Sequence, residues 1–176
     1  MHFLLTGRPG IGKTTALSKI VEKLRAEGYK VGGMITFEVR SGGRRIGFKV
    51  RDITTGEEGW LARKGSGSGP RVGRYVVDLN DLERIGVSAI RKAVQEADVI
   101  AIDEIGPMEL YSEEFKNAVT EAFNSGKPVV ATIHIRADRY PFTRNLKRKA
   151  KLFYLTLENR DKIPEIVYNE VKKFLS

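Results

Sequence analysis

The 176-residue sequence begins with a loop whose residue types and spacing suit it to holding phosphate groups. Residues 7–14 read GRPGIGKT and match the pattern G-x-x-x-x-G-K-[ST] at every fixed position. Glycine lets the backbone curl around the phosphates, Lys13 reaches the β and γ phosphates, and the Thr14 hydroxyl ligates Mg²⁺. The predicted nucleotide-binding loop, with the residue after it, comprises Gly7, Arg8, Pro9, Gly10, Ile11, Gly12, Lys13, Thr14 and Thr15.

Two adjacent acids, Asp103 and Glu104, end an apolar strand that we expect over residues 98–103. The carboxyl ends of parallel strands are where open sheets bind ligands. Asp103 is predicted to hold Mg²⁺ through water, and Glu104 to polarise a water for attack on the γ phosphate. Lys13 and Glu104 are therefore the predicted catalytic residues, and Thr14 and Asp103 the metal ligands. The alternative is that Glu104 only pairs with a nearby Lys or Arg.

A third group of polar residues follows the apolar stretch 129–133. Thr132 or His134 could sense the γ phosphate or the attacking water, or His134 could be a strand-end histidine with local hydrogen bonds. Arg136 and Arg139 lie just beyond. A guanidinium there could neutralise charge in the transition state, as an arginine finger does, or belong to a solvated basic face.

The other polar candidates have a structural and a functional interpretation. Asn159 or Asp161 is predicted to cap the last helix, and the alternative is that this loop contacts the nucleotide base, because it should open on the phosphate-loop edge of the sheet. Trp60 is expected in the core rather than beneath a base.

The elements that must position these residues alternate along the chain. Continuous apolar strands separated by helices with a 3.6-residue period indicate an α/β fold, a mostly parallel sheet covered by helices on both faces. Residues 30–40 and 45–54 read as an inserted β-hairpin with its turn at 41–43, and the Gly/Ser-rich stretch 64–71 as a linker. The strands are expected at 2–6, 30–40, 45–54, 74–79, 98–103, 129–133 and 152–157, and the helices at 14–27, from 80, from 112 and at 160–175.

Length and composition favour one globular domain, residues 1–176, with the inserted strand pair at about 30–79. With 41% hydrophobic residues the chain is not predominantly disordered, and the absence of Cys excludes disulfides, thiolate catalysis and zinc–cysteine sites. The sequence contains neither a long apolar run nor a signal peptide, so we expect a cytoplasmic location and no membrane association. Composition does not indicate the oligomeric state.

The net charge of +9 is concentrated in two segments. Residues 40–74 carry nine Lys/Arg against three Asp/Glu, and the lid-like segment 136–151 carries seven against one. Such segments suit phosphate-bearing partners, either a nucleotide or a nucleic acid. The equally weighted alternative is a solvated face on a heat-stable protein.

Four motifs together resemble the cancer-related nucleoside-triphosphatase family of P-loop proteins, which also occurs in thermophiles. They are GRPGIGKTT at 7–15, RVGRYV at 71–76, DEIGPMEL at 103–110 and ENR at 158–160. The resemblance implies a RecA-like fold and slow, Mg²⁺-dependent hydrolysis of nucleoside triphosphates such as ATP, GTP, CTP and UTP, with loose base selectivity. By matching position, Asp103 would be the Mg²⁺-associated acid and Glu104 the base.

Two other functions stay open at this point. A nucleotide or small-molecule kinase shares the phosphate loop and often has a basic lid, which segment 136–151 resembles in charge. A nucleic-acid-binding ATPase would use the two basic segments, although the aromatic residues are not spaced as a stacking row.

Overall fold

The computed structural model describes residues 1–175, and nine strands within that range form one sheet. In chain order the strands are β1 (Phe3–Thr6), β2 (Val31–Ser41), β3 (Arg44–Asp52), β4 (Glu58–Lys64), β5 (Arg71–Val72), β6 (Tyr75–Val77), β7 (Val99–Ile105), β8 (Val129–Ile133) and β9 (Lys151–Tyr154). Across the sheet they follow the order β5-β6-β4-β3-β2-β7-β8-β1-β9.

The helices connect these strands and cover both faces of the sheet. They are α1 (Lys13–Ala26), α2 (Leu79–Asp81), α3 (Ser88–Glu96), α4 (Glu113–Phe123), α5 (Pro141–Arg148) and α6 (Ile163–Lys172). A π-helical segment, Leu82–Val87, joins α2 to α3, and short 3-10 turns occur at Glu109–Tyr111 and Ala137–Arg139. Within residues 1–175, no helix is long and apolar enough to cross a membrane.

The strands β2, β7, β8, β1 and β9 run parallel to one another. Their apolar runs are buried because side chains alternate between two cores. On one side Leu5 of β1 packs with α1 and α6, and on the other Leu4 packs with α3 and α4. The predicted α/β fold, with helices on both faces of a mostly parallel sheet, is confirmed.

The insert contains more than the expected strand pair. β2 begins inside the parallel sheet, where Gly32 pairs with Ile100, and then extends past the sheet edge to form the predicted hairpin with β3. From there β4, β6 and β5 continue in antiparallel order. We missed β4 because the sequence around it does not alternate: Leu61 and Ala62 are both buried, since a bulge at Phe48/Lys49 shifts the β3–β4 register.

Two further boundaries differ from the sequence predictions. The helix expected from residue 80 starts earlier, because the Asp78 carboxylate accepts the Asp81 N–H at 2.9 Å and caps it. The lid-like segment 136–151 contains the helix α5, which the sequence analysis did not predict. Leu146 is buried, and the Thr143 hydroxyl donates to the Ala137 carbonyl at 2.5 Å, so this segment is attached to the core.

Candidate active site

The phosphate-binding loop joins the buried strand β1 to the start of α1. Gly12, with φ of 108°, lies in the left-handed region that favours glycine. A Cβ on Gly7 would lie 2.9 Å from Ile11 Cγ2 and 3.0 Å from the Leu155 carbonyl oxygen. Within the described residues 1–175, α1 has no side-chain cap, so its first N–H groups remain available for an anion at the positive end of the helix dipole.

The metal-ligating pair predicted from the sequence is together in the structure. The Thr14 hydroxyl donates to Asp103 Oδ2 at 2.9 Å, and the Thr132 hydroxyl donates to Oδ1 at 2.6 Å. Asp103 is only 2% exposed, and this burial raises the pKa of its carboxyl to about 6, with the hydrogen bond from Thr132 opposing the shift. The loop and the strand β7 are thus joined through an oriented, buried carboxyl group.

The predicted catalytic pair forms an ion pair. Lys13 Nζ lies 2.8 Å from Glu104 Oε2 and also donates to the Gly7 carbonyl at 3.3 Å. Glu104 is therefore paired with a basic residue, as the alternative interpretation expected, and that residue is Lys13 of the phosphate loop. The two side chains are 12% and 26% exposed, so both are accessible from the cavity above the loop.

His134 follows β8 and lines the same cavity as Lys13 and Glu104. Its Nδ1 accepts the Arg136 N–H at 3.1 Å, so the ring makes the local hydrogen bond that we considered. Burial lowers the pKa of His134, and the Glu104 charge opposes this shift. The imidazole is therefore neutral near pH 7, with its Nε2 as the second polar atom of the ring.

The two arginines of the basic segment lie on the 3-10 turn after β8, with exposed side chains outside the cavity walls. Their charges nevertheless act on the site, because both lower the pKa of His134. Arg136 and Arg139 are thus near the site's edge without contributing to its walls.

A cavity of about 590 Å³ opens over the loop and extends toward the insert. Its wall includes Glu109, which is 3% exposed. Burial, followed by repulsion from Glu104, raises the pKa of Glu109 well above its usual range. The sequence analysis missed this residue, although a lone acid between Met108 and Leu110 was a visible signal. The residues lining the insert end of the cavity were also missed: Thr36, Phe37, Glu38, Arg45, Phe48, Leu61 and Val72.

A smaller cavity of about 340 Å³ lies on the outer side of the loop, against the start of α1. Arg160 Nη1 donates to the Ile11 carbonyl at 3.2 Å, and Asp161 and Lys19 complete the wall. Arg160, which the sequence analysis did not select, is thus a loop contact. The predicted cap of the last helix is wrong: α6 starts at Ile163 without a side-chain cap among residues 1–175, and Asn159 closes the turn after β9 instead.

The oxygen atoms present fit magnesium. Thr14 Oγ1 and Asp103 Oδ2 are already within hydrogen-bond distance of each other, at the end of the phosphate loop. Mg²⁺ in phosphate sites usually takes one or two protein oxygens and completes its shell with substrate phosphates and water. Within residues 1–175, no group of three or more His, Asp or Glu residues is placed to hold a metal ion.

Comparisons with known proteins agree on one relationship. A family model described as NTPase matches residues 2–168. The nucleoside-triphosphatase THEP1 of Thermofilum pendens is 54% identical over 177 aligned positions, which cover 99% of this chain and 97% of that protein. THEP1 of Pyrococcus abyssi is 46% identical, over 99% of this chain and 94% of its own length.

Two solved structures share the fold. The crystal structure of THEP1 from the hyperthermophile Aquifex aeolicus matches with a TM-score of 0.87 and 38% identity, covering 98% of this chain and 99% of that one. The solution structure of a human cancer-related nucleoside triphosphatase matches with a TM-score of 0.83 and 36% identity, covering 98% and 97%.

Proposed function

We propose that this chain, which belongs to the NTPase family, hydrolyses nucleoside triphosphates to the diphosphate and inorganic phosphate with the residues described above. Nucleoside-triphosphatase is the activity that its relatives' names give. The observation that carries the proposed mechanism is the pair of contacts from consecutive loop residues to consecutive acids, Lys13 to Glu104 and Thr14 to Asp103.

The reaction begins with the triphosphate tail in the loop. Its γ phosphate draws the Lys13 ammonium away from Glu104, because a trianionic tail is a stronger partner than one carboxylate. The released Glu104 carboxylate accepts a proton from water as the water attacks phosphorus opposite the leaving oxygen. Lys13 then stabilises the charge that develops on the γ and β phosphates.

Thr14 and Asp103 would hold magnesium, which would there neutralise charge on the triphosphate. The Thr132 hydroxyl, which donates to the second oxygen of Asp103, keeps that carboxylate aimed at the loop. We place His134 at the γ phosphate, where its neutral ring could hydrogen-bond to the phosphate or to the attacking water.

The nucleoside belongs on the outer side of the loop, in the smaller cavity. That cavity offers backbone, the exposed Arg160 and Asp161, and the Thr15 side chain. Solvent-exposed polar side chains discriminate poorly between bases, because water can replace any hydrogen bond that a given base does not make. This supports loose selectivity across ATP, GTP, CTP and UTP.

Slow turnover is supported by the location of the two arginines. A guanidinium inserted beside the transferred phosphoryl group accelerates such reactions by roughly 10³ to 10⁵. Arg136 and Arg139 are exposed and do not line the cavity, so the charge of the transition state falls on Lys13 and would be shared by a bound metal. A partner or a movement that brings one arginine inward would raise the rate.

The basic insert does not add a nucleic-acid partner to this proposal. Three of its arginines pair with acids of the insert: Arg40 and Arg45 with Glu38, and Arg51 with Glu58. Such mutual pairing supports the alternative of a solvated face rather than a free phosphate-binding surface.

Phosphate release across the four nucleoside triphosphates, with and without Mg²⁺, tests the proposal. We expect release with all four that disappears when Mg²⁺ is chelated and in Lys13→Ala. Lys49→Ala is the matched control, because Lys49 lies 5.1 Å over the Trp60 ring, in the insert. Release that persists in Lys13→Ala or without Mg²⁺ would contradict the mechanism.

A further inference from the structure

The proposed mechanism leaves one buried acid of the site without a role. Glu109 lies on the 3-10 turn that follows β7, is buried, and borders the same cavity as Lys13 and Glu104. Transfer of a carboxylate from water into a protein interior is unfavourable unless a cation or hydrogen bonds compensate for the lost hydration. A buried acid in the wall of this cavity therefore needs either a partner or a proton.

No cation compensates the buried carboxyl of Glu109. The acids before and after it in the chain have basic partners, since Glu104 pairs with Lys13 and Glu113 pairs with Lys116. Among residues 1–175, Glu109 forms no ion pair. With its pKa raised by burial and by the Glu104 charge, it is a neutral carboxylic acid at pH 7. A neutral carboxylic acid has one O–H group to donate, which a carboxylate lacks.

Gly106 lies beside both Glu104 and Glu109. Its N–H faces the Glu109 carboxyl, where it opposes the rise in pKa. A Cβ on Gly106 would lie 2.8 Å from Glu104 Oε1 and 3.3 Å from the carboxyl carbon, so the Glu104 carboxylate packs directly on this glycine. The two carboxyl groups therefore border one residue that has no side chain to keep them apart.

The two oxygens of Glu104 have different surroundings. Oε2 lies 2.8 Å from Lys13 Nζ, and Oε1 lies against Gly106. Among the described residues, Lys13 is the one side chain that hydrogen-bonds to this carboxylate. When the γ phosphate draws Lys13 away, Glu104 loses the contact that orients it, although a base must be held in line with the water that it deprotonates.

We infer that Glu109 is a positioning residue, whose carboxylic acid O–H donates to Glu104 Oε1 once Lys13 has left and thereby keeps Oε2 facing the attacking water. This inference rests on the proposed hydrolysis, because it concerns the orientation of the proposed base. The proton stays on Glu109 throughout, so the contact is a hydrogen bond and no covalent bond changes. Hydrogen bonds from a neutral donor to a carboxylate are stronger than those between two neutral groups.

Two substitutions of similar size distinguish a hydrogen-bond donor from a side chain that only fills space. Glu109→Gln keeps an N–H donor, whereas Glu109→Met keeps the length of the side chain and removes the donor. We expect Glu109→Gln to retain kcat within about threefold, and Glu109→Met to lower it roughly tenfold to a hundredfold, the effect of one lost hydrogen bond to a charged group. KM should stay within about twofold in both, because the phosphate loop is unchanged.

Glu113→Met is the matched control for the loss of an acid in this part of the chain. Glu113 starts α4 four residues after Glu109, but its side chain is 80% exposed and lies outside the cavity. We expect this variant to hydrolyse at the parent rate.

A double variant tests whether Glu109 acts through Glu104. Added to Glu104→Gln, Glu109→Met should lower phosphate release by less than about twofold, because no carboxylate is left to orient. Single-turnover reactions, with the full-length protein in excess over γ-labelled ATP and with Mg²⁺ present, measure these slow rates.

Thermal melts of the same proteins separate orientation from folding. Because Glu109→Met removes a buried polar group that no cation compensates, its melting temperature should equal or exceed that of the parent. A clear fall would give Glu109 a structural role and overturn the inference. An unchanged rate in Glu109→Met, an equal loss in Glu109→Gln, or a full further loss in the Glu104→Gln background would also overturn it. Each of these outcomes leaves the hydrolase standing, whereas no phosphate release from the parent protein overturns both proposals.

Discussion

One ion pair lies in each half of the sheet, and the two pairs have similar N···O distances but different surroundings. Lys13 and Glu104 approach to 2.8 Å at the carboxyl edge of the parallel half, and Arg51 and Glu58 to 2.5 Å on the antiparallel insert. The first pair is 12% and 26% exposed and borders a cavity, while the second is 41% and 32% exposed and spans neighbouring strands. Distance alone does not mark a functional pair; the phosphate loop beside it does.

The largest expected effect appears when the acid of each ion pair is neutralised in turn and the two rates of phosphate release are compared. Glu104→Gln removes the proposed base, so we expect phosphate release to fall roughly 10² to 10⁴-fold. Nucleotide affinity should persist, because Lys13 and the loop amides remain and the competing carboxylate is gone. Glu58→Gln, the matched change on the insert, should leave the rate within about twofold, since exposed ion pairs contribute little.

Steady-state phosphate release and fluorescent-nucleotide titration measure the two quantities separately. If Glu104→Gln hydrolyses at the parent rate, the base is assigned to the wrong residue. If the rate of phosphate release falls equally in Glu58→Gln, the two ion pairs do not differ in function.

The next largest effect is the pH dependence that a buried acid of the parallel half should produce. Burial raises the pKa of Asp103 from 3.8 to about 6. The folded state therefore binds more protons than the unfolded state within that window, and this carboxyl makes the metal-free protein more stable as the pH falls through about 6. At neutral pH its ionised form costs at most about 3 kcal/mol.

Thermal melts of the metal-free protein test this. At neutral pH, Asp103→Asn should be stabilised relative to the parent, whose Asp103 is ionised. Near pH 4.5 this advantage should shrink, because the parent's carboxyl is then neutral as well. Hydrolysis should respond in the opposite sense and fall as the medium is acidified, because the proton and Mg²⁺ compete for the Asp103 carboxylate. Asp52→Asn is the control from the insert, where the carboxylate accepts the Thr54 N–H at 2.8 Å. A stability difference for Asp103→Asn that is constant with pH contradicts the shift.

The parallel half was largely predictable from sequence because its chemistry is local. The phosphate loop is contiguous, and Asp103 and Glu104 follow an apolar strand directly, so their type and position were visible. That Lys13 would pair with Glu104 depended only on β1 and β7 ending at the same edge, which parallel strands do. Thr132 was selected as a sensor of the γ phosphate or of the attacking water; in the structure its hydroxyl donates to Asp103 instead.

The insert was poorly predictable because its structure depends on strand register. Leu61 and Ala62 are consecutive and both buried, which no alternating pattern indicates. Trp60, expected in the core, is half-buried between the Lys49 and Arg63 cations. Long-range pairing decides these placements, and a single sequence carries little information about it.

A smaller effect on nucleotide binding should distinguish two glycines that both have a positive φ. Gly12 in the phosphate loop and Gly42 in the insert's turn have φ of 108° and 59°, and an added Cβ meets no atom closer than 4.0 Å at either. Alanine should cost roughly 1 to 2 kcal/mol of backbone strain at Gly42 and more at Gly12, whose φ lies outside the left-handed range of other residues. Only Gly12→Ala displaces amides that hold phosphate, so it alone should weaken nucleotide binding, by roughly tenfold.

Chemical denaturation and nucleotide titration of both variants supply the comparison. We expect both variants to lose stability and only Gly12→Ala to lose nucleotide affinity. If Gly42→Ala weakens nucleotide binding as much as Gly12→Ala, the turn of the insert is coupled to the loop and the two regions do not act separately.

The smallest expected effect concerns an arginine of the insert that contributes to the stability of the fold and not to hydrolysis. Arg63 lies 4.8 Å over the Trp60 ring in the insert, and its loss in Arg63→Ala should lower the free energy of unfolding by about 0.5 to 1 kcal/mol, typical of an exposed cation–π contact. The melting temperature should drop by roughly 2 to 4 °C with unchanged phosphate release, since Arg63 is remote from the loop.

In a double-mutant cycle with Trp60→Leu, most of this difference should vanish, because the leucine offers no ring for the cation. A coupling energy near zero would mean that Arg63 stabilises the insert through its alkyl chain alone, and a loss of hydrolysis in Arg63→Ala would place the outer strands of the insert within the catalytic unit.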